Sequence, residues 1–297
     1  MGLQVTFDIF SGRPNPVVAL EGNEAAELLR RLQPAARLTG TDAAPPVQSM
    51  LGYRGLLIEQ TGPSINTSLP ARFRVVDGTV YASNLAHRAQ DAAIEDFVLG
   101  VASTAKGAAL DADIAALIRG EVVKGSSVGA SQRASMGSAA GTSEKCKCGP
   151  LYEPDWWNDG GQKQLHNNCY NYACNYRTDT FAQPGRAGGV RMTALSCPGV
   201  KPSALSDSLL DDLRPVSKNI QCPSEGNLVA LVIWPNWDFH WYRLGRDGLW
   251  THKPGSTPVT NLDNAGKLIT DPRMADRGRY TAFCSFMIVM DGHIKIS

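Results

Sequence analysis

The residues best suited to chemistry lie between Leu165 and Cys174. Cys169 directly follows Asn167 and Asn168, two good helix-capping residues. A thiol at a helix start sits in the positive end of the helix field, which favours the thiolate, and the thiolate is the nucleophile. Cys174, five residues on, falls roughly 140° around a helix of 3.6 residues per turn and is read as a core thiol.

A cysteine nucleophile needs a base, and His240 in the run Trp237-Asp238-Phe239-His240-Trp241-Tyr242-Arg243 is the best candidate. Strand alternation places Asp238, His240 and Tyr242 on one face and Phe239, Trp241 and Arg243 on the other. His252 lies twelve residues after His240, on the strand returning from an Asp247-Gly248 turn, where hairpin pairing brings the two imidazoles side by side. It would orient the base, with Asp238 and Asn261 as alternatives if His252 is instead a turn residue beside Lys253-Pro254-Gly255. The Cys169 backbone N–H supplies half of an oxyanion site, and Gln164 and His166 compete for the other half. Trp157, Trp237, Trp241 and Tyr242 would line a substrate groove. The plain alternatives are that Cys169 is a small buried hydrophobe and His240 a satisfied residue of a half-buried sheet.

The order and spacing of Cys169, His240 and His252 resemble the NlpC/P60-type branch of the papain-like cysteine peptidases. That family has a cysteine at a helix start, a histidine on a following strand and a third polar residue, often histidine, on the next. The resemblance covers Leu165 to His252 and implies a papain-like fold, cleavage or transfer at an amide bond, and a peptide or peptidoglycan-like substrate of bacterial type. The family's usual Asp-Cys-Ser-Gly is here Asn168-Cys169-Tyr170-Asn171.

The elements that must position these residues give an α+β reading in two parts. An N-terminal α+β domain spans residues 1–122. Leu3 to Ile9 alternates as a strand, Ser11-Gly12-Arg13-Pro14-Asn15-Pro16 is a concentrated turn signal, and Asn23 is placed to cap a helix carrying Ala25, Leu28, Leu29 and Leu32. Asp77-Gly78 between β-branched runs predicts a type I′ hairpin. Residues 123–145, rich in Gly, Ser and Ala, read as a flexible linker. Residues 146–297 form the second domain and hold all seven cysteines, all six tryptophans and four of five histidines. Its expected elements are a helix from Cys169, a helix carrying Leu205, Leu209, Leu210 and Leu213, and a strand from Leu228 to Trp234. A strand pair from Phe239 to His252 follows, and a last pair runs through Phe283–Val289 and His293–Ile296.

Composition sets the outer bounds. With 29 basic and 28 acidic side chains there is no global field to steer the chain toward nucleic acid, and no run approaches the length of a membrane span. The start of the chain has no Sec-type leader pattern, whereas seven cysteines suit an oxidising compartment; export by another route would reconcile the two, and so would a cytoplasmic protein with seven free thiols. An odd count leaves at least one thiol unpaired. Cys146-Lys147-Cys148 has no second metal-binding pair, so disulfides drawing also on Cys197 and Cys222 are favoured over zinc. The oxygen-rich loop from Asn261 to Gly266 has no glutamate where a calcium loop needs one. The Ser11–Pro16 turn could bind an anion through Arg13, with a structural turn the favoured reading. No cofactor is implied.

Two functions follow. One is a cysteine peptidase or amidase using Cys169, His240 and His252, with residues 1–122 as a targeting module. The other is a non-catalytic, disulfide-stabilised binding or toxin-like protein whose Trp-rich face from Trp234 to Trp250 meets a partner.

Overall fold

Leu3, Val5 and Phe7 alternate with outward residues and are buried, as the sequence pattern requires of a strand with one covered face. They belong to β1 (Gly2–Phe7) in a computed structural model that describes residues 2–38, 49–61, 69–82, 85–104, 110, 112–125, 145–214 and 221–297. The described residues divide into two compact units, and residues 10–14 and 49–51 belong with residues 145–214 and 221–297 in the second.

Among the described residues the first unit is a seven-stranded antiparallel sheet with three helices. Besides β1 it contains β2 (Val17–Glu21), β3 (Pro34–Arg37), β4 (Leu56–Thr61), β5 (Arg72–Val76), β6 (Thr79–Ala82) and β7 (Leu85–Ala89), in the order β2-β1-β4-β5-β6-β7-β3. Its helices are α1 (Gly22–Arg31), α2 (Ile94–Thr104) and α3 (Ala112–Gly125). Ala25, Leu28 and Leu29 of α1 are buried, as is Leu32 just after it. Asn23 is not the cap: the helix starts at Gly22, and Glu21 takes the capping position without a side-chain bond. Asp77 and Gly78 both have positive φ, 47° and 64°, as a type I′ turn demands. Just after β1, Asp8 pairs with Arg54 at 2.5 Å and with Arg74 of β5 at 2.8 Å, with all three side chains buried. Burial pushes the Asp8 carboxyl up, but the two guanidiniums outweigh it and hold the group at about 2.

The second unit mixes short helices with a five-stranded antiparallel sheet. The helices are α4 (Pro154–Trp157), α5 (Gln162–His166), α6 (Cys169–Ala173) and α7 (Cys197–Ser206). The strands β8 (Leu210–Asp211), β9 (Asn227–Trp234), β10 (Asp238–Leu244), β11 (Trp250–His252) and β12 (Ala282–Val289) lie in the order β11-β10-β9-β12-β8. β9 and β10 are buried along their whole length, which is why β9 reads as a continuous apolar run. One core gathers Cys169, Tyr170 and Ala173 of α6, Val200 and Ala204 of α7, and Val229, Leu231, Ile233, Phe239, Trp241 and Met287 of the sheet.

Two disulfides brace this unit. Cys146 bonds Cys222 and Cys197 bonds Cys284, while Cys148, Cys169 and Cys174 are free. Both Cys146 and Cys197 join through residues more than seventy positions away. The expectation for the C-terminal segment is corrected: β12 pairs with β9 and β8, and residues 293–296 form no strand. The predicted second helix ends at Ser206, so Leu210 falls in β8 and Leu213 is 90% exposed. The expected linker begins inside α3, which runs to Gly125, and most of the rest of it lies outside the described residues.

Candidate functional site

Asn168 is the origin of the local structure at Cys169. Its extended backbone stops any earlier helix, and its Oδ1 accepts the N–H groups of Tyr170 at 3.0 Å and Asn171 at 3.1 Å. Asn171 Oδ1 accepts the Asn168 N–H in return, a capping box closed by two asparagines. Asn167 instead ties Thr178 and Asp179 together through its Oδ1.

The helix so started is a single turn, too short to build the field expected at Cys169. The thiol is wholly buried, donates toward the Phe239 carbonyl at 4.0 Å, and is pushed up to about 12, chiefly by burial and then by the Asp238 charge. The expected low-pKa nucleophile is therefore a protonated core thiol. Cys174, at the end of the same turn, is also buried and is held well above its ordinary range by burial.

β10 and β11 place the histidines as the hairpin spacing predicts. Tyr242 pairs with His252, which sets His240 diagonally beside it, with His240 Nε2 and His252 Nδ1 2.9 Å apart. His252 Nε2 faces the Leu262 carbonyl at 2.9 Å, so it must carry the proton there. With both imidazoles neutral, His252 Nδ1 accepts from His240 Nε2, and His240 Nδ1 is an acceptor. Ser11 meets it, with its Oγ 2.5 Å from His240 Nδ1 and within hydrogen-bonding reach of the Cys169 sulfur. Ser11, Cys169, His240 and His252 are all buried without exposed surface.

Asp238, the alternative orienter of His240, has its carboxylate engaged by the Ser11 turn and Tyr280. Its carboxylate accepts the successive N–H groups of Ser11 at 2.5 Å, Gly12 at 3.2 Å and Arg13 at 3.0 Å, and the Tyr280 hydroxyl at 2.5 Å. Burial raises its carboxyl above the ordinary range, with these four donors pulling the other way. The Ser11–Pro16 turn is thus structural, as favoured, with its backbone N–H groups closed on a carboxylate of the same chain. Arg13 itself donates to the Trp237 carbonyl at 3.2 Å.

The remaining expected site residues are placed elsewhere. Gln164 spends its side chain on Gly160 and Ser256, and His166 is exposed on α5. Trp157, Trp241 and Tyr242 are wholly buried and serve as packing residues, whereas Trp237 is half-buried. Trp157 lies against Tyr172, and Trp241 against Tyr170. The Trp-rich face falls with them, since Trp234 is 5% exposed and Trp250 is fully covered. The exposed indole is Trp156, 45% accessible, with Lys163 Nζ and Arg177 Cζ over its ring at 5.2 Å and 5.6 Å.

Among the described residues no group of three or more His, Cys, Asp or Glu is set to hold a metal. Asp263, in the oxygen-rich loop, gives its carboxylate to the N–H groups of Ala265, Lys267 and Asp276. No described helix is long and apolar enough to cross a membrane. Ser11, Gly12 and Tyr280 are the participants that spacing could not reveal; the density of turn residues after Ser11 marked the first two, and nothing marked Tyr280.

No protein-family model matches the chain, and no solved structure matches it. The insoluble matrix shell protein 1 of Ruditapes philippinarum is 44% identical over 140 residues, which are 47% of this chain and 90% of that protein. More than half of this chain lies outside the match. A matrix protein as relative overturns the peptidase or amidase assignment, and with it the hydrolase chemistry and the bacterial setting. The sealed, protonated Cys169 is the physical counterpart of that correction. By this identity, across nine-tenths of the relative's length, the chain belongs to the family of the insoluble matrix shell protein 1.

Proposed function

We propose that this chain is a non-catalytic, disulfide-braced component of an insoluble matrix. The observation that carries the reading is the 44% identity to a protein described as belonging to such a matrix. Burial of the whole Ser11–Cys169–His240–His252 cluster supports it, because a substrate carbonyl has no approach to a thiol with no exposed surface. Two disulfides suit a protein that works where thiols oxidise. In this reading the one-turn helix start at Cys169, packed on an antiparallel sheet bearing His240 and His252, keeps the papain-like layout as a scaffold without its chemistry. Residues 1–122 are then an accessory domain, and the peptide-substrate assignment gives way to contacts with other matrix molecules.

The contact surface moves from the Trp234–Trp250 face to Trp156, the exposed indole between Lys163 and Arg177. An exposed ring with two cations held over it offers apolar area and charge at one place. The test is partition of the purified chain onto the washed insoluble residue of Ruditapes philippinarum shell. The full chain should sediment with the residue and survive a high-salt wash, and Cys169→Ala should sediment equally well. Trp156→Ala should lose severalfold in retention. A chain that stays in the supernatant would refute the matrix reading.

A further inference from the structure

The segment Phe10–Pro14 is held by the rest of the second unit as a bound peptide is held. Three successive N–H groups converge on the Asp238 carboxylate, and the Gly12 carbonyl accepts from Asn168 Nδ2 at 2.7 Å and Gln183 Nε2 at 2.8 Å. The Ser11 hydroxyl meets His240, and the Arg13 guanidinium donates to the Trp237 carbonyl. Only glycine fits at the centre, because a Cβ on Gly12 would lie 2.4 Å from Phe239 Cε2. Amide, hydroxyl, carboxylate and close-approach contacts together define a recognition site for a Ser-Gly-Arg sequence.

These partners lie 156 to 229 residues away along the chain. Nothing in their chemistry distinguishes the chain's own segment from the same segment of another copy. We propose that residues 10–14 of a second copy of this chain dock in this site, so that copies exchange the segment and become linked. Charge complementarity favours this occupant, since a buried carboxylate meets three N–H groups on a segment that also carries Arg13. Pro14 and Pro16 stiffen the chain on one side of the segment and lower the entropy cost of presenting it. The bonds broken in one copy are remade in the other, so concentration and linkage geometry decide the outcome. A reciprocal exchange closes a dimer, and a head-to-tail exchange stays open and grows. Open growth is a route to insolubility, and in that respect the inference rests on the matrix reading.

The experiment uses two full-length variants. Gly12→Val spoils the segment and leaves its site vacant; Asp238→Ala spoils the site and leaves the segment intact. Each alone should be monomeric by size-exclusion chromatography with light scattering. Mixed at micromolar concentration, they should give a two-chain species at least tenfold more abundant than in either sample alone. A labelled synthetic peptide of residues 9–14 should raise its fluorescence anisotropy with Gly12→Val and not with Asp238→Ala. If near-ultraviolet circular dichroism finds Gly12→Val unfolded, Ser11→Ala with Arg13→Ala takes its place. Folded variants that stay monomeric together, or that leave the peptide unbound, overturn the exchange. Neither result touches the partition assay, so the two readings fail separately.

Discussion

At the scale of single residues, burial decides what each group can do. Cys169 has the neighbours a nucleophile wants, yet without solvent its thiolate has no stabilisation to match the cost of desolvation. The His240–His252 bond was legible in the sequence because twelve residues across a short hairpin bring two side chains to one face. Ser11 was not legible, because its place beside His240 is a tertiary event over 229 residues. Gly12→Ala forces a methyl into the Phe239 ring and should cost about 1–3 kcal/mol, read from the urea midpoint.

Asp8 provides a pH test at the same scale. Its carboxyl titrates at about 2 in the folded chain against an ordinary 3.8, so its contribution is complete above the ordinary value and is lost as the pH falls through about 2. Roughly 2 kcal/mol of stability should disappear over that window. Asp8→Asn should be less stable at pH 5 yet lose less of its remaining stability on acidification, because the titrating group is gone. An unchanged acid slope in that variant would remove Asp8 from the account.

At the scale of elements, the asparagine box at α6 is the feature most exposed to a single change. Asn168→Ala unpairs the N–H groups of Tyr170 and Asn171 and strips donors from the carbonyls of Gly12 and Ala182. A lost cap plus buried unpaired groups should cost about 2–4 kcal/mol, measurable by thermal unfolding. The disulfides close overlapping loops with separations of 76 and 87 residues. Chain-entropy reasoning gives about 4.5 kcal/mol for either one alone and less than the sum for both, so reduction should lower the second unit's melting point by at least about 10 °C.

The same scale shows why some elements could be read and others could not. β1, β9 and the β10–β11 hairpin announce themselves by period, apolar run or turn chemistry. β8 is two residues long, and its leucine belongs to an apparent helical run with Leu205 and Leu209. Only pairing with Met287 and Ile288 makes it a strand, and pairing is not written in local sequence. The last predicted strand failed for a related reason. Residues 293–296 look extended, but the backbone there bonds loops instead of a strand: Lys295 N–H donates to the Asp207 carbonyl, and the Ser297 carbonyl accepts from Gln183 N–H.

At the scale of the whole molecule, the residue types that suggested catalysis gather in one unit, and the peptidase or amidase assignment built on them is overturned by the matrix relative. Cysteines, histidines and tryptophans crowd into the second unit because they build its core and its braces: Trp157, Trp241 and Trp250 are buried, and four cysteines are paired. The same residue types would crowd into a catalytic domain, and composition cannot separate the two. What separates them is access, and access at Cys169 is closed by the Ser11 turn and by its own core. The most direct test is the reaction of native full-length chain with iodoacetamide at pH 8, followed by mass spectrometry of each cysteine. A sealed, non-catalytic cluster predicts modification at Cys148, with Cys169 protected to the same degree as Cys174. Rapid modification of Cys169 while Cys174 stays protected would contradict the account.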